Sequence, residues 1–189
     1  SLRADGCQED VIITAKRQTA GRGTKGRSFS SRKGGVYLTY LRFLEDFEAK
    51  RAFEIMASAA VAVCKTLETF GLSPVIKWAN DVHVNGKKIC GILIENSLSG
   101  KNVASSVVGV GLNVNNALPK DLQEIATTMQ LESEKQFSVG EVRETLMHFL
   151  QADRIGERYE QYLGWLGEKA ELSVGEEQFS VTLQSVDDE

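Results

Sequence analysis

Lys77, Lys87 and Lys88 stand at the two ends of a short apolar hairpin pattern, IKWANDVHVNGKKICGILIE (Ile76 to Glu95). In it, Val82 to Val84 and Ile89 to Ile94 flank an Asn85-Gly86 turn signal. A second group of cations, Arg22, Lys25 and Arg27, lies in the glycine-rich stretch QTAGRGTKGRS, Gln18 to Ser28. Glycine lets backbone amides approach a phosphate closely, and arginine supplies a planar fork of donors, so this composition suits a phosphorylated or carboxylate ligand. A third stretch, GVGLNVNN, sets the glycine pair Gly109 and Gly111 ahead of Asn113, a backbone on which a flat ring could lie. No Ser/His/Asp order, paired-carboxylate pattern or metal-ligand cluster stands out. What remains is positioning and charge neutralisation, the needs of an attack on an activated phosphate or carboxylate.

Each group also has a plainer reading. The Gln18 to Ser28 stretch is equally a solvated basic loop, and GVGLNVNN a turn that ends a core strand. Lys77, between Ile76 and Trp78, reads as a partly buried lysine that needs either a ligand or a salt bridge to Asp81 or Glu95. Gly21 to Ser28 nearly fits the P-loop pattern, with Arg27 in place of the phosphate lysine. A P-loop must run into a helix N-terminus, whereas this stretch continues through Ser28 to Ser31 and Gly34-Gly35 into a strand, so that reading is rejected. His83 alternates with Val82 and Val84 and is expected to point outward; neither it nor His148, on a helix, is read as catalytic.

The elements that must hold these groups follow from periodicity. Val11 to Ala15 and Val36 to Phe43 read as strands, the second rich in β-branched and aromatic residues. From Phe47 to Phe70 apolar residues recur at helical spacing through Phe53, Met56, Ala60, Cys64 and Leu67, with Gly71 and Pro74 as stop signals. Ala104 to Leu112 reads as a further strand. Ser138 with Glu141 forms a capping-box pattern ahead of a helix through Val142, Leu146, Phe149 and Leu150. From about Glu168 short alternating strands begin around Gly175. The expected class is α+β, a mixed sheet with packed helices followed by the start of a small β module. The expected division is residues 1–167 and 168–189. Both ends look cut: Ser1 to Ala4 reads as the tail of a helix, and Val186 to Glu189 stop inside a strand and turn pattern.

With 189 residues the chain can bury a substantial core, and a net charge of −4 gives no global field for nucleic acid, so anion binding must be local. Cys7, Cys64 and Cys90 are odd in number and widely spaced, which suits reduced thiols in a cytoplasmic protein, with Cys64 and Cys90 in the core. No leader or membrane-spanning run is read, since Ala57 to Val63 is far too short.

Four segments, QTAGRGTKGRSFSS (Gln18 to Ser31), GGVYLT (Gly34 to Thr39), KWANDVHVNGKKICGILIE (Lys77 to Glu95) and GVGLNVN (Gly109 to Asn115), closely resemble the signatures of the biotin protein ligases. Their order and approximate spacing agree as well. The resemblance implies a fold like that of the class II aminoacyl-tRNA synthetases and biotin ligases, with an SH3-like module after it. It also implies a reaction: biotin and ATP give biotinyl-5′-AMP with Mg2+ present, and biotin then passes to one lysine of a biotin carboxyl carrier domain of a carboxylase. By position, Gln18, Gly21, Arg22, Gly23, Thr24, Lys77 and Gly91 would bind biotin. Arg22, Thr24, Lys25, Arg27, Phe29, Lys77, Asn80, Lys88, Gly109, Gly111 and Asn113 would bind ATP and the adenylate. Within that set Arg22 and Lys77 would be catalytic, Arg27 and Lys88 would face phosphates, and Asn113 would contact the adenine end. No metal ligand is assigned.

This sequence departs from the family pattern at Thr24, where an arginine is usual, and at Ala79 and Arg32, where prolines are usual. A Ser-Thr-Asn element that helps to bind biotin is expected just ahead of Ser1. No DNA-binding domain is visible, and a homodimer stays open because family members differ. The rival readings are a lipoate or octanoate ligase, which would carry RRxSGGG in place of QTAGRG, and a relative that binds biotin or nucleotide without ligation.

Overall fold

The computed structural model describes residues 9–152, 154–174 and 177–182. Ser1 to Ala4, Cys7 and Val186 to Glu189 lie outside the described residues. In chain order come β1 (Val11–Ala15), β2 (Val36–Phe43), α1 (Ala52–Thr69), β3 (Val75–Lys77), β4 (Asp81–Val84), β5 (Lys87–Ser99) and β6 (Asn102–Leu112). They are followed by α2 (Met129–Ser133), α3 (Val139–Leu150), α4 (Tyr159–Tyr162), β7 (Lys169–Val174) and β8 (Glu177–Thr182). The α+β class is as expected: a six-stranded sheet in the order β1-β2-β6-β5-β4-β3 with helices packed on it. Its ladders are all antiparallel, and parallel pairing is confined to the isolated bridges Ile76–Leu163 and Lys88–Ala126. β7 and β8 form a two-stranded antiparallel sheet of their own.

Turn chemistry explains the hairpins. Asn85 and Gly86 both have positive φ, 49° and 78°, the condition of the two-residue turn that matches strand twist. Gly100, at φ 61°, closes the longer β5–β6 hairpin, which runs further than the alternation of Ile89 to Ile94 alone indicates. The helix begins later than its apolar pattern, at Ala52, after the single 3-10 turn Ala49–Arg51, and ends where the amides of Gly71 and Leu72 turn back to the carbonyls of Glu68 and Leu67.

Because side chains alternate across a strand, each row of the ladder faces one side only. Val36, Leu112, Cys90, Val82 and Ile76 are register partners across five strands, and all are at most 2% exposed. Leu38, Val110 and Ile92 form the next such row. Against this face lies α1, whose Ala57, Ala59, Ala60 and Ala62 are small enough to bring the helix close to the sheet. Cys64 and Cys90 are buried there, and burial pushes both thiols up, which keeps them protonated and inert. Among the described residues no helix is long and apolar enough to cross a membrane.

His83 departs from the outward position expected of it. It is 7% exposed, covered edge-on by the Trp165 ring at 5.8 Å, with Nδ1 3.2 Å from the Gly86 carbonyl. A register shift between Val82 and His83 accompanies this burial.

Candidate active site

The opposite face of the sheet carries a second row: Ala15, Tyr37, Gly111, Gly91, Asp81 and Lys77 are successive register partners from one edge strand to the other. Beside it run Thr39–Gly109–Leu93 and Leu41–Val107–Glu95. Three glycines on one face leave a trough where side chains would otherwise stand. It is the floor of a cavity of about 380 Å³, lined by Thr39, Leu93 and Val107, by Asn80, Asp81, Lys88 and Glu95, and by Gln18, Ala20, Arg22, Gly23, Thr24 and Phe29 from the glycine-rich loop.

The loop over the trough is a narrow finger. The Phe29 amide donates to the Gly21 carbonyl (2.9 Å) and the Gly23 amide to that of Arg27 (2.7 Å), with a bridge between Arg22 and Ser28 and one 3-10 turn, Thr24–Gly26, at the tip. Its base is fastened twice: the Gln18 amide donates to the Ser31 carbonyl (3.1 Å), and the Ser31 hydroxyl donates to Gln18 Oε1 (2.6 Å). No side chain fits at Gly21, where an added Cβ would lie 2.8 Å from Ser31 Oγ and collide with the Phe29 carbonyl.

Two ion pairs join cations and carboxylates around the cavity. Lys88 Nζ is 2.7 Å from Asp81 Oδ1, and Arg22 Nη2 is 3.7 Å from Glu95 Oε2, so the finger is tied to β5 across the trough. A salt bridge from Lys77 to Asp81 or Glu95 was the plainer alternative to a ligand. Instead Lys88 and Arg22 hold them, and Lys77 makes no ion pair among the described residues. Lys77 is also exposed, where the expectation was partial burial: β3 is a short edge strand, Ile76 takes its inward position, and alternation sends Lys77 outward. It shares the face and the row of the trough, two strand spacings, or about 10 Å, from Gly91.

The turn from Lys77 to Asp81 is held from two sides. Asn80 Nδ2 donates to the Ile92 carbonyl (2.8 Å), and the hydroxyl of Tyr159, on α4, donates to the Ala79 carbonyl (2.9 Å). Burial pushes the Tyr159 phenol up to about 12, so it stays a donor. Ala79 is therefore anchored through its carbonyl.

Two of the other expected site residues, Arg27 and Asn113, point away from the cavity. Arg27 folds back on its own finger, with weak contacts of 3.4 Å to the Thr24 carbonyl and hydroxyl, and does not line the cavity. Lys25 is in the finger's tip, and its side chain lies outside the described residues. Asn113 faces the interior: 6% exposed, it donates to the Thr127 carbonyl (3.0 Å) and accepts from Asn116 Nδ2 (3.0 Å), while its carbonyl receives the Met129 amide at the start of α2 (3.1 Å). Its side chain is thus occupied in tying the 127–129 segment to the end of β6. The sequence reading missed Thr39, Leu93 and Val107 as walls. The i, i+2 alternation out from Gly91 and Gly109 is the signal that finds Leu93 and Val107; Thr39 follows only from its register with Gly109. Among the described residues no group of three or more His, Cys, Asp and Glu side chains could hold a metal ion.

Residues 1–113 match the model of the biotin/lipoate A/B protein ligase family. The chain is 34% identical over 168 residues to the bifunctional ligase/repressor BirA of Bacillus subtilis, covering 86% of this chain and 50% of that protein. It is 36% identical over 115 residues to the biotin–[acetyl-CoA-carboxylase] ligase of Paracoccus denitrificans, covering 59% and 47% respectively. The chain thus spans about half the length of these curated relatives. Among solved structures it is similar to the biotin protein ligase from Aquifex aeolicus in complex with biotin and ATP. That similarity has a TM-score of 0.74 at 27% identity, over 90% of this chain and 75% of that one.

Proposed function

The chain belongs to the biotin/lipoate A/B protein ligase family, and from that membership we propose that it joins biotin to ATP and passes the biotinyl group to a carrier lysine. In the first step a biotin carboxylate oxygen attacks the α-phosphorus of ATP, the bond to the bridging oxygen breaks, and pyrophosphate leaves biotinyl-5′-AMP. In the second the lysine amine attacks the acyl carbon, AMP departs with the bonding pair, and the nitrogen loses a proton as the amide forms.

Neither step needs a side-chain nucleophile, which agrees with a site made of cations, amides and a ring-width trough. Biotin would lie under Gln18, Arg22 and Gly23, over Gly91. Lys88 and Thr24 would meet the nucleotide phosphates, and Lys77, without an ion pair among the described residues, would stabilise charge at the transferring group as the mixed anhydride forms. The finger would exclude water from the adenylate. Magnesium would arrive with ATP, and Asp81 and Glu95 are the hard oxygen donors that the cavity offers it once the cations have moved to phosphate. The carrier partner would be a biotin carboxyl carrier domain of a carboxylase, and the cytoplasm, where ATP is abundant, is the natural compartment.

The observation that carries this reading is the trough itself: Gly91, Gly109 and Gly111 beneath a finger that brings Gln18 and Arg22 over them. Mixing the chain with biotin and MgATP and following pyrophosphate release tests it, with biotin-dependent release expected. Release driven by lipoate in place of biotin would assign the other branch of the family, and biotin binding with no release would make the chain a non-catalytic relative.

A further inference from the structure

The flat-ring slot is filled in this structure, by the protein itself. A Cβ built on Gly111 would lie 2.6 Å from Phe29 Cζ and 3.2 Å from Cδ1, and one built on Gly91 would lie 3.1 Å from Cε2. Since Gly91 and Gly111 are register partners, the phenyl ring spans the gap between two adjacent strands, against bare backbone. The Tyr37 ring meets it edge-on, with centroids 6.5 Å apart and planes at 74°. Phe29 reaches this position because the finger's ladder, from the Phe29 amide to the Gly21 carbonyl, sets the residue at the mouth of the trough. At the finger's far side, the Arg22–Glu95 pair holds the same closed arrangement.

We propose that Phe29 is an internal occupant of the ring slot, which a ring-bearing ligand must displace before the glycine-rich finger closes over it. The proposal rests on the reading of the trough as the biotin and adenylate site. It gives the finger two closed forms: one sealed on the protein's own ring, the other on the ligand. Apparent affinity is then reduced by the fraction of molecules in which the slot is taken. Specificity follows from the same device, because a ligand too small to fill the floor left by the phenyl ring cannot repay its removal.

Two measurements on the whole chain test the proposal. The first needs no ligand: limited trypsin cleavage after Arg22, Lys25 and Arg27, compared for wild type, Phe29→Ala and Gly111→Ala. Faster cleavage in both variants, by several-fold, is expected, since each removes the contact that holds the finger down. Equal rates in all three would overturn the proposal, and Phe29→Ala decides alone if Gly111→Ala does not fold. The second is the biotin dissociation constant by calorimetry. Phe29→Ala is expected to bind biotin about tenfold more tightly, the size of effect that a partly buried phenyl ring corresponds to. Weaker or unchanged binding would overturn the proposal, because Phe29 would then be a wall of the site. Accelerated cleavage with no biotin binding by any version would uphold the occupied slot and overturn instead the assignment of the trough to biotin.

Discussion

Lys88 and Asp81 face each other at 2.7 Å beside the trough, so a cation suited to phosphate is held there by a carboxylate. Both side chains keep about a third of their surface exposed, 35% and 29%, and an ion pair in that setting contributes less than about 1 kcal/mol to folding. Nucleotide binding would therefore exchange the carboxylate partner of Lys88 for a phosphate at little cost. Lys88→Ala is expected to raise the KM for ATP in pyrophosphate release about tenfold or more, while thermal unfolding shifts by no more than a few degrees. An unchanged KM would remove Lys88 from the phosphate site.

Lys77 separates binding from chemistry more sharply. Its ammonium has no ion-pair partner to lose among the described residues, so Lys77→Ala should leave the melting temperature where it is. If its charge is used as the anhydride forms, kcat for adenylate formation should fall on the order of a hundredfold, the usual effect of removing one donor aimed at developing charge. Single-turnover measurement of biotinyl-5′-AMP reads this directly. A rate near that of the wild type would end the role proposed for Lys77.

Asn113 is expected to behave in the opposite way. Its amide is buried and bonded on both sides, and truncation leaves the Thr127 carbonyl and Asn116 amide without their partner. Asn113→Ala should lower stability by about 1–3 kcal/mol in chemical denaturation. The KM for ATP should stay within about twofold. A large rise in that KM with intact stability would restore Asn113 to the adenine contact first expected of it.

The buried imidazole of His83 gives a pH dependence whose sign can be worked out. Desolvation lowers its pKa below the ordinary 6.5, with the charges of Lys77 and Lys88 acting in the same direction and the Gly86 carbonyl and Asp81 opposing. The unfolded chain thus binds the proton more readily than the folded one. The contribution of His83 to stability is present above about pH 6.5 and is lost as the pH falls from there through the lower folded value. Denaturation midpoints measured between pH 7.5 and 5 should fall with acidity, and His83→Gln should flatten that slope. A slope untouched by the substitution would assign it to the carboxylates.

Much of this architecture was legible in the chain because its signals are local. Asn85-Gly86 demands positive φ at two successive positions, and the β-branched run Val36 to Phe43 has strand bounds that the structure reproduces. The glycine pair Gly109 and Gly111 was readable as a ring platform, since a spacing of two puts both on one face. That Gly91 would join them depends on the β5–β6 register, and that register is set by the distant turn at Gly100. Lys88 and Arg22 pairing with Asp81 and Glu95, and Trp165 covering His83 from far along the chain, are tertiary facts with no periodic trace. The partners of Asn113 were not legible for the same reason: the 115–128 segment that binds it has no regular pattern.

The row from Ala15 to Lys77 alternates with the buried row from Val36 to Ile76 on the same strands, so the two faces are set by a single choice of register. A slip of one residue between β5 and β6 would turn the platform inside out, burying the glycines against α1 and exposing Cys90 and Ile92 to water. The molecule therefore cannot keep its interior while losing its platform through misregistration. Correct assembly of the sheet and formation of the platform are one event, and a chain that resists unfolding normally already carries the glycine floor on the open face of the sheet.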